Sequence, residues 1–116
     1  MKIFLSPLVL LPLAISAGAA EAKPRAATCA IKSNGNADYR GPCTFDAERG
    51  GSFTVAPAGK RRFPGVASIS LHVVEPGLGE VRGLTRDGIN SRWGEARRSR
   101  RDRACWQGSD FSICVY

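Results

Sequence analysis

Four cysteines fall in two pairs, and each pair straddles a turn signal. Between Cys29 and Cys43 lies Ser33-Asn34-Gly35-Asn36; between Cys105 and Cys114 lies Gly108-Ser109-Asp110. Such clusters mark turns, because Gly and Asn tolerate the backbone angles that tight reversals need. A chain that folds back at both points sets Cys29 face to face with Cys43. It also sets Cys105 opposite Cys114 and Trp106 opposite Ile113. Each bridge closes a short loop and contributes about 2.5–3 kcal/mol in the chain-entropy picture. Other pairings exist for four cysteines. The nested one, Cys29–Cys114 with Cys43–Cys105, would tie the two ends of the domain together, but the turn chemistry favours Cys29–Cys43 and Cys105–Cys114. Neither spacing resembles the C-x-x-C units of a zinc site, and the single histidine, His72, is far from all four in sequence.

Pairing requires an oxidising compartment, and the start of the chain supplies the address. Lys2 is followed by an apolar stretch from Ile3 to Ile15 and then by the small residues Ser16, Ala17, Gly18, Ala19 and Ala20. That order reads as a secretory signal peptide over residues 1–22, cleaved after Ala20 or Ala22. The apolar run is about a dozen residues, against roughly 20 needed to span a bilayer. The expected location is periplasmic or secreted, with no transmembrane segment in the mature chain. The expected organisation is a signal peptide over 1–22, a short mobile lead over 23–27 and a disulfide-stapled β-domain over 28–116. A domain of this size buries only about 60–65% of its unfolded surface, so crosslinks add to a modest core.

The rest of the pattern is strand, turn, strand. Predicted strands cover 28–32, 39–45, 52–56, 66–74, 80–85, 89–96, 104–107 and 111–116. The clearest is 66–74, where Ile69, Leu71 and Val73 alternate with Ser68, Ser70 and His72. Gly41-Pro42 bends the second strand, and proline there suggests an edge or a bulge. Asp87-Gly88 suggests a two-residue type I′ hairpin turn. Residues 57–64 form a basic loop with Lys60, Arg61 and Arg62, and residues 97–103 a charged connection. Seven or eight short strands at roughly 8–12-residue spacing signal an all-β antiparallel meander, as a small barrel or sandwich. Trp106, Phe111, Ile113 and Val115 share one face with Ala104 and read as core.

Charge gives the main functional hint. The chain carries 17 Lys+Arg against 10 Asp+Glu, and loss of residues 1–22 leaves 16 against 9, still +7. A basic domain is drawn to polyanions. Arg97-Arg98-Ser99-Arg100-Arg101-Asp102-Arg103 concentrates five arginines against one aspartate, a local +4. Guanidinium clusters clamp phosphates and carboxylates bidentately, and the flanking tryptophans suit stacking on sugars or bases. Arg92, Trp93, Arg97, Arg98, Arg100, Arg101 and Arg103 are therefore the candidate binding residues. The partner would be an acidic protein, lipopolysaccharide or another polyanion. The competing reading of the segment is a solvated loop whose tryptophans are core. His72, with Glu75 or Glu80 near it, is the one foothold for a secreted nuclease. Strand alternation instead puts His72 on a polar face. No G-x-S-x-G and no phosphate loop occur, and no motif calls for a cofactor or a metal. The expectation is a non-enzymatic binding module.

Tyr39-Arg40-Gly41-Pro42-Cys43-Thr44-Phe45, Gly51-Ser52-Phe53, Ala104-Cys105-Trp106 and Ile113-Cys114 resemble the Y-x-G-P-C-x-F…G-S-F…A-C-W…I-C layout of small, uncharacterised proteins exported by Gram-negative bacteria. The resemblance spans most of the mature chain, and its motifs are structural. It implies a periplasmic or secreted β-domain and carries no catalytic residues. A more distant resemblance, in size, export and disulfides, is to small periplasmic β-barrel lysozyme inhibitors. It implies an alternative role, inhibition of an envelope-degrading hydrolase. A basic chain suits an acidic hydrolase better than a basic lysozyme.

Overall fold

In several strands the apolar residues recur at alternate positions, and side chains two apart share a face. Cys29 and Ile31, Tyr39 and Cys43, Phe53 and Val55, Ile69 and Leu71, and Phe111 and Ile113 are all buried together. A sheet with one such face can curl until its two edges meet. The computed structural model, which describes residues 23–33 and 35–116, shows that closure. The expected signal peptide, residues 1–22, and Asn34 lie outside the described residues.

The strands are β1 (Arg25–Ser33), β2 (Tyr39–Ala47), β3 (Phe53–Pro57), β4 (Ser68–Glu75), β5 (Leu78–Leu84), β6 (Asn90–Arg98), β7 (Cys105–Gln107) and β8 (Phe111–Val115). They form a closed antiparallel barrel in chain order. β1 pairs with β2 on one side and with β8 on the other, with Ile31 opposite both Tyr39 and Ile113. Tyr116 extends the closure: its backbone N–H and carbonyl bond the Thr28 carbonyl and N–H at 2.8 and 2.9 Å. The ends of the domain are thus joined by a ladder, while both disulfides are local, Cys29–Cys43 and Cys105–Cys114. Cys105 does sit opposite Cys114, and Trp106 opposite Ile113. Cys29, however, faces Gly41, and Cys43 faces Ala27, so the first bridge runs diagonally inside the barrel.

Four further details depart from the sequence reading. β1 begins at Arg25, and Arg25, Ala26 and Ala27 pair with Phe45, Thr44 and Cys43, so the lead is shorter than 23–27. β6 runs on to Arg98, which places Arg97 and Arg98 in a strand and leaves residues 99–104 as the connection. β2 is an interior strand. Pro42 is tolerated because its side of the ladder faces Ala58, one residue past the end of β3, whose N–H reaches the Pro42 carbonyl at 3.3 Å. The β5–β6 turn is not type I′, since among the described residues only glycines have positive φ. Thr85 and Ile89 instead bracket a three-residue loop, with Gly88 at φ 92° taking the left-handed position.

The two ends of the barrel differ. At one, the loop of residues 58–67 turns inward, and Phe63 is 1% exposed with its ring edge-on to Tyr39, centroids 4.8 Å apart. The basic residues there are partly spent on structure. Arg86 donates to the Phe63 carbonyl at 2.6 Å, and Arg61 to the Arg40 carbonyl at 3.3 Å. At the other end lie the start of β1, the β2–β3 and β4–β5 turns, the β6–β7 loop and Tyr116. Ser52, the one buried polar residue among those described, closes the edge of that end by accepting the Val73 N–H at 2.8 Å, beside the β4 bulge.

Candidate functional site

The predicted binding residues do not form one patch. Arg92 lies on the outer wall of β6, where its Nε donates to the Glu80 carboxylate at 3.0 Å. It lies six positions from Arg98, about 20 Å along a strand at roughly 3.3 Å per residue. Trp93 turns inward at the β5–β6 bulge and packs edge-on against Phe111, centroids 5.5 Å apart. Arg97, Arg98, Arg100, Arg101 and Arg103, by contrast, gather at the unplugged end, all exposed.

Local chemistry shapes that loop. Ser99 Oγ accepts the N–H groups of Arg101 and Asp102, each at 3.2 Å, which turns the chain tightly after β6. The Asp102 carboxylate is occupied. One oxygen accepts the Ala104 N–H at 3.1 Å and the other accepts the Tyr116 hydroxyl at 2.6 Å. The Tyr116 hydrogen bond, then the backbone one, hold the Asp102 carboxyl below its ordinary range, while the same bond pushes the Tyr116 phenol up. The single acid of the segment therefore keeps its charge but, among the described residues, forms no ion pair with the arginines around it. Among the described residues the only ion pairs are those of Glu80 with Arg82 and Arg92.

Strand parity adds residues that the sequence reading missed. Arg98 pairs with Trp106 across β6 and β7, and both point inward at the rim. Arg25 takes the inward row of β1, in register with Ala27 and Cys29, opposite Phe45. The two guanidiniums lie over aromatic rings: Arg25 is 4.6 Å from the Phe45 centroid and Arg98 is 5.7 Å from that of Trp106. Phe45 in turn stacks on Phe53, centroids 5.2 Å apart. Together with Ala104 and Val115 these residues line a cleft of about 260 Å³. Arg98 Nε donates to the Arg103 carbonyl at 2.7 Å, which fixes the guanidinium at the rim. Among the described residues, its terminal nitrogens and the whole Arg25 fork have no protein acceptor. The signal for Arg25 is its parity with Cys29 and Ile31, which an expected lead over residues 23–27 hides.

His72 lies outside this end. It is exposed on the outer wall, directly opposite Glu80. The Glu80 carboxylate is gripped by Arg92 and Arg82, and its pKa is lowered, first by the Arg92 hydrogen bond, with partial desolvation opposing. A carboxylate held ionised this way is a poor proton donor near neutral pH. A second groove, about 460 Å³, runs beside the β6–β7 pairing and is lined by Arg92, Glu95, Arg97 and Gln107 among others, so there the charges are mixed.

Comparison with family models, with curated proteins and with solved structures finds no match. No helix among the described residues is long and apolar enough to cross a membrane.

Proposed function

We propose that this protein is a periplasmic or secreted, non-enzymatic binding module that takes an anionic partner on the unplugged end of its barrel. One observation carries the reading. Among the described residues, Arg98, Arg100, Arg101 and Arg103 gather there without an ion-pair partner, while Asp102, the acid among them, is tied to Tyr116 and Ala104. Such a face attracts phosphates, sulfates and carboxylates, and each one neutralised releases a counterion. Export is supported by the signal-like pattern of residues 1–22 and by two disulfides, which persist in oxidising compartments.

The test is the salt dependence of binding to heparin, lipopolysaccharide and duplex DNA. Affinity should fall steeply with salt, with a slope near −0.9 per phosphate neutralised on the duplex. Arg98 anchors on Trp106 and Arg103, so the informative variant spares it. Arg100→Ser, Arg101→Ser and Arg103→Ser together should change stability by less than about 0.5 kcal/mol per site. They should weaken polyanion binding and flatten its slope. Unchanged binding to all three polyanions would make the loop an ordinary solvated one. Stoichiometric, salt-insensitive capture of a single envelope hydrolase would replace this reading with inhibition.

A further inference from the structure

We infer that the cleft between Arg25 and Arg98 is a distinct subsite for a small amphiphile: an oxyanion head joined to one ring or a short chain. The inference deepens the anion-binding reading at the same end of the barrel, and it asks more of the partner than charge.

A polyanion needs only exposed cations. The cleft offers an aromatic floor as well. Phe45, Phe53, Trp106, Ala104 and Val115 line it, and the Arg25 and Arg98 guanidiniums lie over the Phe45 and Trp106 rings. A highly hydrated ion such as acetate would use the rim and leave that floor wet. A neutral apolar molecule would cover the floor and leave the forks of Arg25 and Arg98 unused. Only a ligand with both parts satisfies both surfaces. The volume sets the size: about 260 Å³ suits a single ring with a short acidic arm and nothing much larger.

The geometry also orients it. Arg98 is pinned through Nε to the Arg103 carbonyl, so the edge it presents carries its terminal nitrogens. Among the described residues, no acceptor engages the Arg25 fork. Planar forks match carboxylate and phosphate oxygens in pairs, so the head sits at the two arginines and the body lies along the remaining apolar lining of the cleft, Phe53, Ala104 and Val115 included. The nearby carboxylates do not compete for the forks. Asp102 is engaged by Tyr116 and Ala104, and Glu48 and Glu75, on the β2–β3 and β4–β5 turns, do not line the cleft.

The experiment uses 3-phenylpropionate and phenyl phosphate as probes, with acetate and 3-phenylpropanol as controls. Calorimetry gives affinity, and NMR shifts of the Trp106 indole and the Arg25 and Arg98 side chains give location. The expected result is saturable binding of at least one acid probe, at least tenfold tighter than either control, with the shifts confined to the cleft. The tighter probe names the head. Arg25→Gln, which leaves the β6–β7 pairing untouched, and Arg98→Gln should each weaken that probe at least tenfold. The Arg100→Ser, Arg101→Ser, Arg103→Ser variant should bind it within twofold of wild type. Acetate or 3-phenylpropanol binding as tightly as the acid probes would overturn the subsite. So would indifference to Arg25→Gln. In either case, salt-dependent polyanion binding that is lost in the triple variant leaves the broader anion-binding role standing. Probe binding without polyanion binding removes that role and keeps the cleft.

Discussion

Tyr116 and Asp102 show how one residue pair arranges the charge of a whole loop. The Tyr116 hydroxyl donates to Asp102, and Tyr116 itself is held by the Thr28 backbone and lies under Arg40, whose guanidinium is 5.9 Å from the ring. The Asp102 oxygens are thereby occupied, and among the described residues Arg100, Arg101 and Arg103 have no ion-pair partner. The linkage has a definite sign. A carboxyl whose folded pKa is depressed stabilises above its unfolded value, about 3.9, and that contribution is lost as pH falls through the lower folded pKa. A phenol whose folded pKa is raised stabilises below its unfolded value, about 10, and that contribution is lost as pH rises through the higher folded pKa. The latch is therefore intact across the neutral range. Replacing Tyr116→Phe removes the largest cause of the Asp102 shift. The expected outcome is a rise of the Asp102 carboxyl pKa toward the ordinary value, read by carbon-detected NMR titration. An unmoved Asp102 would mean that the Ala104 N–H alone holds the carboxylate. None of this was legible in the chain, because Asp102 and Tyr116 meet only after β7 and β8 have paired.

Strands and turns were the most legible level. Turn signals, with alternation clearest over 66–74, located the eight strands, since a half-buried strand places apolar side chains at every second position. What alternation could not show was where a rule is broken for packing. Trp93 turns inward because the β6 bulge shifts the register between Val81 and Arg82. Gly83, which pairs with Ser91, has no side chain, and a Cβ there would come within 2.6 Å of Trp93 Nε1. Phe63 was hidden in a segment that reads as a polar loop. The two hairpin disulfides make a further element-level contrast. Cys29–Cys43 spans a separation of 14 inside the barrel, where both residues are buried; Cys105–Cys114 spans 9 on the wall and is only part-buried. Chain entropy alone separates the two loops by only a few tenths of a kcal/mol, at about 3 and about 2.7. Burial separates them further, because paired serines in place of Cys29 and Cys43 put hydroxyls into the core. Losing the inner bridge should thus cost more than losing the outer one, both within about 2–5 kcal/mol. Denaturant midpoints of the two double-serine variants provide the check, and equal midpoints would remove the burial argument.

Taken whole, the barrel is unevenly sewn, and its weakest seam borders the site. β1 pairs with β2 at seven positions and β5 with β6 at seven, but β6 meets β7 only at Arg97–Gln107 and Arg98–Trp106. A hydrogen bond from Ser99 N–H to the Cys105 carbonyl, 2.8 Å, extends this short contact. The cause is in the sequence. β7 spans only Cys105–Gln107 before Gly108-Ser109-Asp110 turns the chain into β8. Short β7 was readable from that turn, but its consequence required knowing that β1 and β8 close the sheet and so leave β6–β7 as the thinnest ladder. The cleft was illegible for the same reason: Arg25 and Arg98 are 73 positions apart and share a rim only in a closed barrel. Local opening follows the ladders with the fewest bonds and the most exposed strands. Native-state hydrogen exchange should therefore show the Ser99 and Gln107 amides opening at lower free energy than those in the β1–β2 and β1–β8 ladders. The opening should be sub-global, with little dependence on denaturant, because little surface is exposed when two strands part. Arg98 and Trp106 form the last pair of this seam and also the wall of the cleft. A ligand that bridges Arg25 and Arg98 fastens the seam, so saturating 3-phenylpropionate should slow exchange at Ser99 and Gln107 while leaving the β1–β2 amides unchanged. Uniform protection around the barrel, with or without the probe, would show that β6 and β7 open only when the entire molecule unfolds.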